Sequence, residues 1–564
     1  MKHPEKIVTW GLILLLLALV FSTFLLGSVP PVDRDALTHH LFVPNLWLKN
    51  GGIYEIPEIP FSYYPMNLDL LYTLSLALGN DIIPKYIHYL FALFTALLLY
   101  HHLNKRLGRL YGIFGAIFFL SVPIIVKLSI TVYVDLGLVF FTTTSLLLLL
   151  SWARQHFPLK TLITAGLCCG LAAGTKYNGL VSIVVLTLLV PVIFQRNCRK
   201  ENQSNLRALL YTSLFLLASL TALSPWFVRN YVWTGNPIYP LHNSLFQQKN
   251  TTKINAQKQG EKNIASQLKK LSSKAGGPFI ARKILYQETW WQASLLPIRF
   301  FFEGQDDNPR YFDGKLTPFL FILPILAFAF RPQDRRQRQE QNILLWFSLL
   351  YFFFTFFQEA MRIRYIVPIV PPLTILSMYG LRGLVQRIRL PETINSPPAS
   401  LSMACLGILM LGYNVQYLYT QFSTVQPLSY VLGKTNREQY ITTFRPEYPA
   451  IQFANNTVKM DAKVLCLFLG NRGYYMKFQP VFEQPYTSGS ILANFLSGTD
   501  STQTVLDEMR QHNIQYILLR TDLTLRWLHQ LNETKRQRVT PLFAQSDQPL
   551  WSGNGYLVLS LPKP

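Results

Sequence analysis

Residues 7–27 read IVTWGLILLLLALVFSTFLLG, and residues 29–52, directly behind them, read VPPVDRDALTHHLFVPNLWLKNGG. The first run is apolar over the roughly 20 residues that a helix needs to cross a bilayer. Lys2 and Lys6 precede it, as in a signal peptide, but the run is longer than a signal core and no small-x-small cleavage site follows. It is therefore expected to remain as a first transmembrane helix. The second run then places Asp33, Arg34 and Asp35, with His39 and His40, within a few residues of the hydrocarbon boundary.

Composition outward from this junction gives the same class. The 564 residues are 50% hydrophobic and 14% aromatic, yet only 14% are charged, well below the roughly one quarter usual in soluble domains. Apolar runs recur at 85–103, 110–127, 134–152, 161–174, 180–194, 208–228, 316–330, 343–357, 365–381 and 400–419, predicting a polytopic α-helical membrane protein of about eleven spans. The net charge of +23 is not a nucleic-acid footprint, because many basic residues fall in short connectors. Residues 104–109, 154–160, 196–200, 331–338 and 382–389 are all basic, which is how Lys and Arg mark the cytoplasmic side and suits a surface of anionic lipid. This pattern puts the N-terminus inside, and the loops 28–84 and 229–315 outside with the C-terminus. Trp290, Trp291, Phe300, Phe301 and Phe302 in the second loop read as an interfacial helix region.

From about residue 426 the composition turns mixed polar. KVLCLFLG (463–470) and IQYILLR (514–520) read as buried strands with a helix over 501–512 between them, predicting a C-terminal α/β domain over 426–564 behind a membrane module over 1–425. There is no GxGxxG or P-loop pattern. The cysteines, Cys168, Cys169, Cys198, Cys405 and Cys466, lack metal-ligand spacing and read as structural.

The ionisable residues gather on the predicted outer side. Asp33 and Asp35 follow the first span, and Lys85 and His88 open the second. Asp135 opens the fourth, Lys176 marks the turn after the fifth, and Arg229 and Asn230 close the seventh. Glu359, Arg362 and Arg364 lie between the ninth and tenth. Each has an ordinary reading: Asp35 as the N-cap of a helix over 36–48, Lys85 and His88 as snorkelling or interfacial anchors, and Lys176 and Arg229 as membrane-surface charges. His39 and His40 orient neighbours, since no third histidine has zinc spacing. Taken together, acids beside a set of cations suit transfer of a sugar from a polyprenyl phosphate. A carboxylate takes the acceptor proton, and Arg or Lys stabilises the departing phosphate.

The run DALTHHLFVPNLWLKNGGIYEIP, 35–57, resembles the first-loop motif of lipid-carrier-dependent glycosyltransferases of the GT-C superfamily, such as protein O-mannosyltransferase and aminoarabinose transferase relatives. SPWFVRNYVWTGNPIYP, 224–240, and RYIVPIVPPL, 364–373, also look like features of bacterial members. The resemblance implies a GT-C fold and an inverting transferase of the bacterial inner membrane with its site facing the periplasm. The donor would be a polyprenyl-phosphate sugar, and the acceptor a glycolipid, glycan or protein. It implies Asp35 as catalytic base with Asp33 second and Asp135 as a further acid. Lys85 would contact the donor phosphate, followed by Arg229, Arg364 and Lys176, with His40 and His88 in support. Arg34 between the two aspartates departs from the aminoarabinose and mannosyl subgroups, which carry Asp-Glu there. With a lipid monophosphate donor fixed cations can do the work of a metal, while Asp33, Asp35 and Asp135 offer oxygen ligands that a divalent metal could use. The competing classes are a polysaccharide polymerase or ligase, and a transporter. Transport is disfavoured because the apolar runs are nearly free of mid-run charge.

Overall fold

A computed structural model describes residues 3–197, 204–246, 277–356, 361–388, 398–459, 461–483, 491, 492, 496, 502–544 and 549–561. The described residues form two compact units: one within 1–29, 55–246 and 268–431, the other within 30–54 and 432–564. This division differs from the expected boundary at 426, because residues 30–54 cluster with the C-terminal residues rather than with the spans that flank them.

The first unit is built of the helices that the apolar runs predicted. Six described helices are long and apolar enough to cross a membrane, or seven if one bent pair counts as a single span. The six are Lys6–Gly27, Ile83–Leu107, Asp135–Arg154, Gly179–Asn197, Asn205–Thr234 and Ile363–Arg387. The bent pair is the expected third span. Arg109–Ser121 and Pro123–Ser129 meet at 67°, because Val122 leaves the helical region and Pro123 cannot donate across the break. Leu159–Thr175 and Phe319–Ala329 are shorter apolar helices, and Arg335–Phe356 begins with polar residues, so by length and apolarity these do not count toward the expected eleven.

Close approach of backbones joins neighbouring helices. On Leu159–Thr175, a Cβ at Gly170 would lie 2.1 Å from the carbonyl oxygen of Ser219, and one at Gly166 2.7 Å from that of Phe215. The small residues let this helix lie directly on Ser204–Thr234, the packing that lipid-embedded helices favour. At the other end of the unit from Asp135, the buried Glu340 carboxylate accepts from Arg154 Nη2 at 2.6 Å, Arg106 Nε at 3.1 Å and Tyr379 Oη at 3.2 Å, with His102 Nε2 at 2.7 Å. One acid thus ties four helices together and neutralises part of the basic connectors.

Between residues 277 and 315 the chain is held by a second buried acid. Glu288 accepts from Arg282 Nε at 2.9 Å and Nη2 at 2.7 Å, and from Arg299 Nη2 at 3.2 Å. Trp290, Trp291 and Phe302 of the expected interfacial region are exposed, whereas Phe300 and Phe301 are buried, Phe300 stacking on Phe312. Burial acts to raise the Glu288 carboxyl, but the bonds and charges of Arg282 and Arg299 outweigh it, so it titrates below its ordinary 4.5. A depressed carboxylate contributes stability above its unfolded value and loses it as the pH falls toward the folded one. Glu288→Gln is expected to weaken this segment by about 3 kcal/mol, because the buried Arg282 guanidinium loses its counter-charge while Arg299 keeps only Glu303. Hydrogen exchange across 277–315 should accelerate accordingly at pH 7, and the difference from the parent should shrink below pH 4.5. Equal exchange at pH 7 would remove Glu288 from this role.

The second unit carries a five-stranded sheet in the order β2-β1-β3-β5-β4. The strands are β1 Lys463–Leu467, β2 Gln479–Glu483, β3 Ile514–Arg520, β4 Trp551–Gly553 and β5 Tyr556–Ser560. The two predicted strands are β1 and β3, parallel neighbours with the predicted helix, Thr502–Gln511, between them in the chain. The β4–β5 hairpin turns on Asn554 and Gly555, both at positive φ, the Asn-Gly geometry of a tight hairpin. Cys466 is buried in β1.

Candidate active site

The acid pair lies in the second unit, on a segment with unusual local structure. Ala36–His40 is a short π-helix, closed by Leu41 N–H donating to the Ala36 carbonyl at 2.9 Å, and Phe42–Lys49 continues as α-helix. Single π turns recur at functional sites because the extra residue re-aims its neighbours. Asp35 precedes this turn but makes no side-chain capping hydrogen bond, so the N-cap reading is corrected. Asp33 contributes its carbonyl, accepting from Leu37 N at 3.1 Å. Arg34 is exposed, His39 half-buried and His40 buried. Thr38 Oγ1 lies 3.0 Å from His39 Nδ1 and 3.3 Å from the Asp35 carbonyl.

Residues 473–475 hold the π turn in place. Tyr474 N–H donates to the Leu37 carbonyl at 3.2 Å, and Tyr475 Oη to that of Pro31 at 2.8 Å. A Cβ at Gly473 would come within 2.4 Å of the Phe42 ring. These contacts explain why residues 30–54 belong to the C-terminal unit: both sides of the acid pair are anchored there.

In the first unit, two of the expected cations and the third acid gather around one turn. Asp135, at the start of its helix and 1% exposed, accepts from Lys176 Nζ at 2.6 Å. The Lys176 ammonium also sits 5.4 Å from the centre of the Tyr365 ring. Arg364 lies over the same ring at 5.5 Å and over Tyr133 at 5.3 Å. Both cations act electrostatically on the Asp135 carboxylate. Lys176, Arg364, Tyr133 and Tyr365 are half-buried, so the cluster is covered but not sealed.

His88 has a settled part in it. Its Nδ1 faces the Thr131 carbonyl at 3.1 Å, and its Nε2 accepts from Leu136 N–H at 2.9 Å. A carbonyl only accepts and an amide only donates, which assigns the neutral imidazole with the proton on Nδ1. His88 therefore fixes the 131–136 turn that presents Asp135. Lys85 is likewise buried and donates to the Val29 carbonyl at 2.9 Å, tying the second span to the end of the first. Its expected contact with phosphate is not tested by this arrangement.

Arg229 lies within the Ser204–Thr234 helix rather than at its end. Its guanidinium is sandwiched over Trp226 at 4.5 Å and Trp233 at 5.0 Å, and bonds Asn230 Oδ1 at 2.8 Å and the Tyr64 carbonyl at 3.1 Å. Asn230, fully buried, donates to the Tyr63 carbonyl at 2.8 Å and Tyr177 Oη at 3.0 Å. These two residues link 63–64 to the turn that carries Lys176. Glu359 lies outside the described residues, and Arg362 pairs with Asp313 at 3.4 Å.

Three residues went unnoticed in the sequence. Asp69 is 1% exposed in the Asn67–Ala77 helix. Tyr72, one turn on, donates to the Tyr133 carbonyl at 2.5 Å and lies in electrostatic reach of Asp69 and Asp135. Tyr365 is the ring that the two cations share. One acid within the apolar stretch NLDLLYTLSLA was the available signal. Among the described residues, no group of three His, Cys, Asp or Glu side chains could hold a metal ion, and Asp135 already spends Oδ1 on Lys176. The donor set therefore does not fit a divalent metal.

Residues 80–234 match the family model "Dolichyl-phosphate-mannose-protein mannosyltransferase". No curated protein sequence matches the chain. Among solved structures, it is similar to ArnT from Cupriavidus metallidurans in the apo state, with 13% identity and a TM-score of 0.58 over 98% of this chain and 97% of that one. The same protein bound to undecaprenyl phosphate gives 14% identity and 0.56 over 98% of both chains. The Archaeoglobus fulgidus oligosaccharyltransferase in complex with Zn and sulfate gives 10% identity and 0.51 over 93% of this chain and 70% of that one. The likeness to these structures shows a shared fold, the GT-C fold that the first-loop motif implied.

Proposed function

We propose that the protein is a membrane glycosyltransferase that moves a sugar from a polyprenyl-phosphate donor to an acceptor hydroxyl, with inversion, on the periplasmic face of the bacterial inner membrane. The observation that carries this reading is the pair of half-buried cations, Lys176 and Arg364, set on the one Tyr365 ring above the Asp135 carboxylate. A lipid monophosphate needs such a place, since charge-assisted bonds from Lys or Arg hold the phosphate oxygens and stabilise the charge that grows as the sugar leaves. The matched family model and the undecaprenyl-phosphate-bound relative support the same donor class.

The reaction balances without a metal. Asp35 takes the proton from the acceptor hydroxyl. The acceptor oxygen then bonds the anomeric carbon from the face opposite the phosphate, and the bond from that carbon to the phosphate oxygen breaks. The electron pair leaves on the polyprenyl phosphate, and the anomeric configuration inverts. Lys176 and Arg364 take the phosphate, with Asp135 orienting Lys176. Lys85 and Arg229 support the surrounding turns, and His88 holds the Asp135 turn. Asp33 is the secondary acid and His40 an orienting neighbour.

Native mass spectrometry of the detergent-purified protein tests the donor class. Undecaprenyl phosphate should be retained at concentrations where undecaprenol is not. Arg364→Gln should weaken retention about tenfold, the worth of one hydrogen bond to a charged group. Equal retention of phosphate and alcohol by the parent protein would overturn the reading.

A further inference from the structure

A cleft of about 490 Å³ lies at the far end of the helical unit from Asp135, a volume within the range of small-molecule sites. Arg154, in its lining, closes the helix that Asp135 opens, about 30 Å away at 1.5 Å per residue. The charged lining is Arg154, Arg196, Arg335 and Arg336, with His156 beside them and one acid, Glu340. These arginines come from three separate connectors, which membrane topology does not require to meet. Topology also counts Lys and Arg alike, whereas this cleft is lined by Arg and no Lys. Arg is the side chain whose planar fork matches phosphate oxygens in pairs.

The charges are not balanced within the described residues. Glu340 is 2% exposed and shares its carboxylate between Arg154 at 2.6 Å and Arg106 at 3.1 Å. It therefore holds the Arg154 guanidinium in place without neutralising the others. Arg196, Arg335 and Arg336 are exposed, and among the described residues none of them pairs with a carboxylate. Arg335 and Arg336 also open the Arg335–Phe356 helix, where the positive end of the macrodipole disfavours cations and favours an anion. Asp334 accepts from Arg336 N–H at 3.0 Å, which caps the backbone and leaves both guanidinium groups in the cleft lining.

The remaining lining is largely apolar, with Leu150 and Ile343 buried. Phe157 reaches it through a strained turn: His156 and Phe157 both adopt positive φ, 61° and 65°, which non-glycine residues tolerate singly and at a cost. Phe157 N–H donates to the Trp152 carbonyl at 3.0 Å, and its ring packs edge-on against Trp152 at 4.9 Å and Phe194 at 4.8 Å. Gln339 Nε2 donates to the Arg196 carbonyl at 3.3 Å and ties two of the helix ends together. From Gln339, Trp346 and Phe353 follow at seven-residue spacing on nearly the same helix face, 49% and 55% exposed. The ligand that fits brings an anion to the arginines and hydrocarbon to the face that runs on from them. A soluble phosphate meets the first condition and leaves that face bare. We propose that this cleft binds the phosphate headgroup of an anionic phospholipid, with an acyl chain along the Trp346–Phe353 face. The site is independent of the glycosyl-transfer reading.

Native mass spectrometry of the full-length protein in detergent tests it, with dioleoyl-phosphatidylglycerol, dioleoyl-phosphatidylcholine and glycerol 3-phosphate as probes. Phosphatidylglycerol should be retained, and phosphatidylcholine, whose headgroup has no net charge, about tenfold less. Arg196→Gln should lower phosphatidylglycerol retention about fivefold, the effect of one basic residue at an anionic lipid surface. Arg335→Gln combined with Arg336→Gln should lower it by about tenfold or more. These side chains are exposed, so thermal unfolding without added lipid should stay unchanged; Arg154 is left intact because it also holds Glu340. Equal retention of the two lipids by the parent, or equal phosphatidylglycerol retention in parent and both variants, overturns the site. Arg364→Gln, at the other end of the unit, should retain phosphatidylglycerol as the parent does, and a loss there would move the lipid to the Tyr365 ring and overturn the assignment. Glycerol 3-phosphate should displace the lipid only at about a hundredfold excess, since it lacks the buried hydrocarbon. Displacement at equal concentration makes the cleft a site for a soluble anion and overturns the lipid assignment. Because Arg364→Gln is read beside the cleft variants, failure of this site and failure of the undecaprenyl phosphate reading are told apart.

Discussion

Asp35→Asn should reduce glycosyl transfer by about 10²- to 10⁴-fold, the contribution of a positioned general base, while the protein still inserts and folds. The substitution keeps size and hydrogen-bonding capacity and removes the one property a base requires, a carboxylate that accepts a proton. It also separates the two readings of Asp35 cleanly. Asn caps helices about as well as Asp, so a capping residue would tolerate the change with little loss. The side chain makes no capping hydrogen bond, and the turn behind it is held instead by the Leu41–Ala36 π bond and by Tyr474 N–H on Leu37. The turn should therefore stay in place while kcat collapses. Asp33→Asn should cost less, because Asp33 builds the turn through its main-chain carbonyl. The assay is transfer of labelled sugar from polyprenyl phosphate in vesicles containing equal amounts of each protein. Full activity in Asp35→Asn would sink the base assignment.

Much of the helical unit was legible because lipid imposes a simple rule: a backbone in hydrocarbon must satisfy itself, so each apolar run becomes a helix. The break at Val122 was less so, since a single Pro123 can begin a helix or bend one. In the C-terminal unit the strand–helix–strand order showed through the buried runs of β1 and β3. The β4–β5 hairpin was overlooked although Asn554-Gly555 is a strong local turn signal. What the sequence could not convey is pairing at long range. Residues 30–54 join the C-terminal unit through Tyr474 and Tyr475, more than four hundred positions away, and no periodicity near Asp35 encodes that. The same holds for Glu340, which reads as one acid in a basic connector until Arg106, Arg154 and His102 converge on it. Of the candidate site residues, Asp135, Lys176, Arg364 and His88 do come together. Lys85 and Arg229, expected at the donor phosphate, are seen on main-chain carbonyls, an amide and indole rings.

The Asp135–Lys176 pair yields the second large effect, and it separates a structural ion pair from a phosphate site. Asp135→Ala should destabilise the protein by about 3–5 kcal/mol, the usual cost of leaving one member of a buried pair without its partner. That loss alone says nothing about function. Replacing both, as Asp135→Asn with Lys176→Met, removes the stranded charge, and buried pairs exchanged for neutral groups of similar size are often nearly neutral in stability. The double variant should therefore recover most of the thermal stability that the single one loses. If Lys176 serves merely as the counter-ion of Asp135, the double variant should also bind undecaprenyl phosphate as the parent does. The position of its ammonium over Tyr365, the ring that Arg364 also approaches, leads to the opposite expectation. Stability should return while phosphate retention stays at least tenfold weaker, since an ammonium donor to the phosphate has been removed. A double variant that regains both would return Lys176 to a purely architectural role and leave Arg364 as the cation to which the phosphate reading must answer.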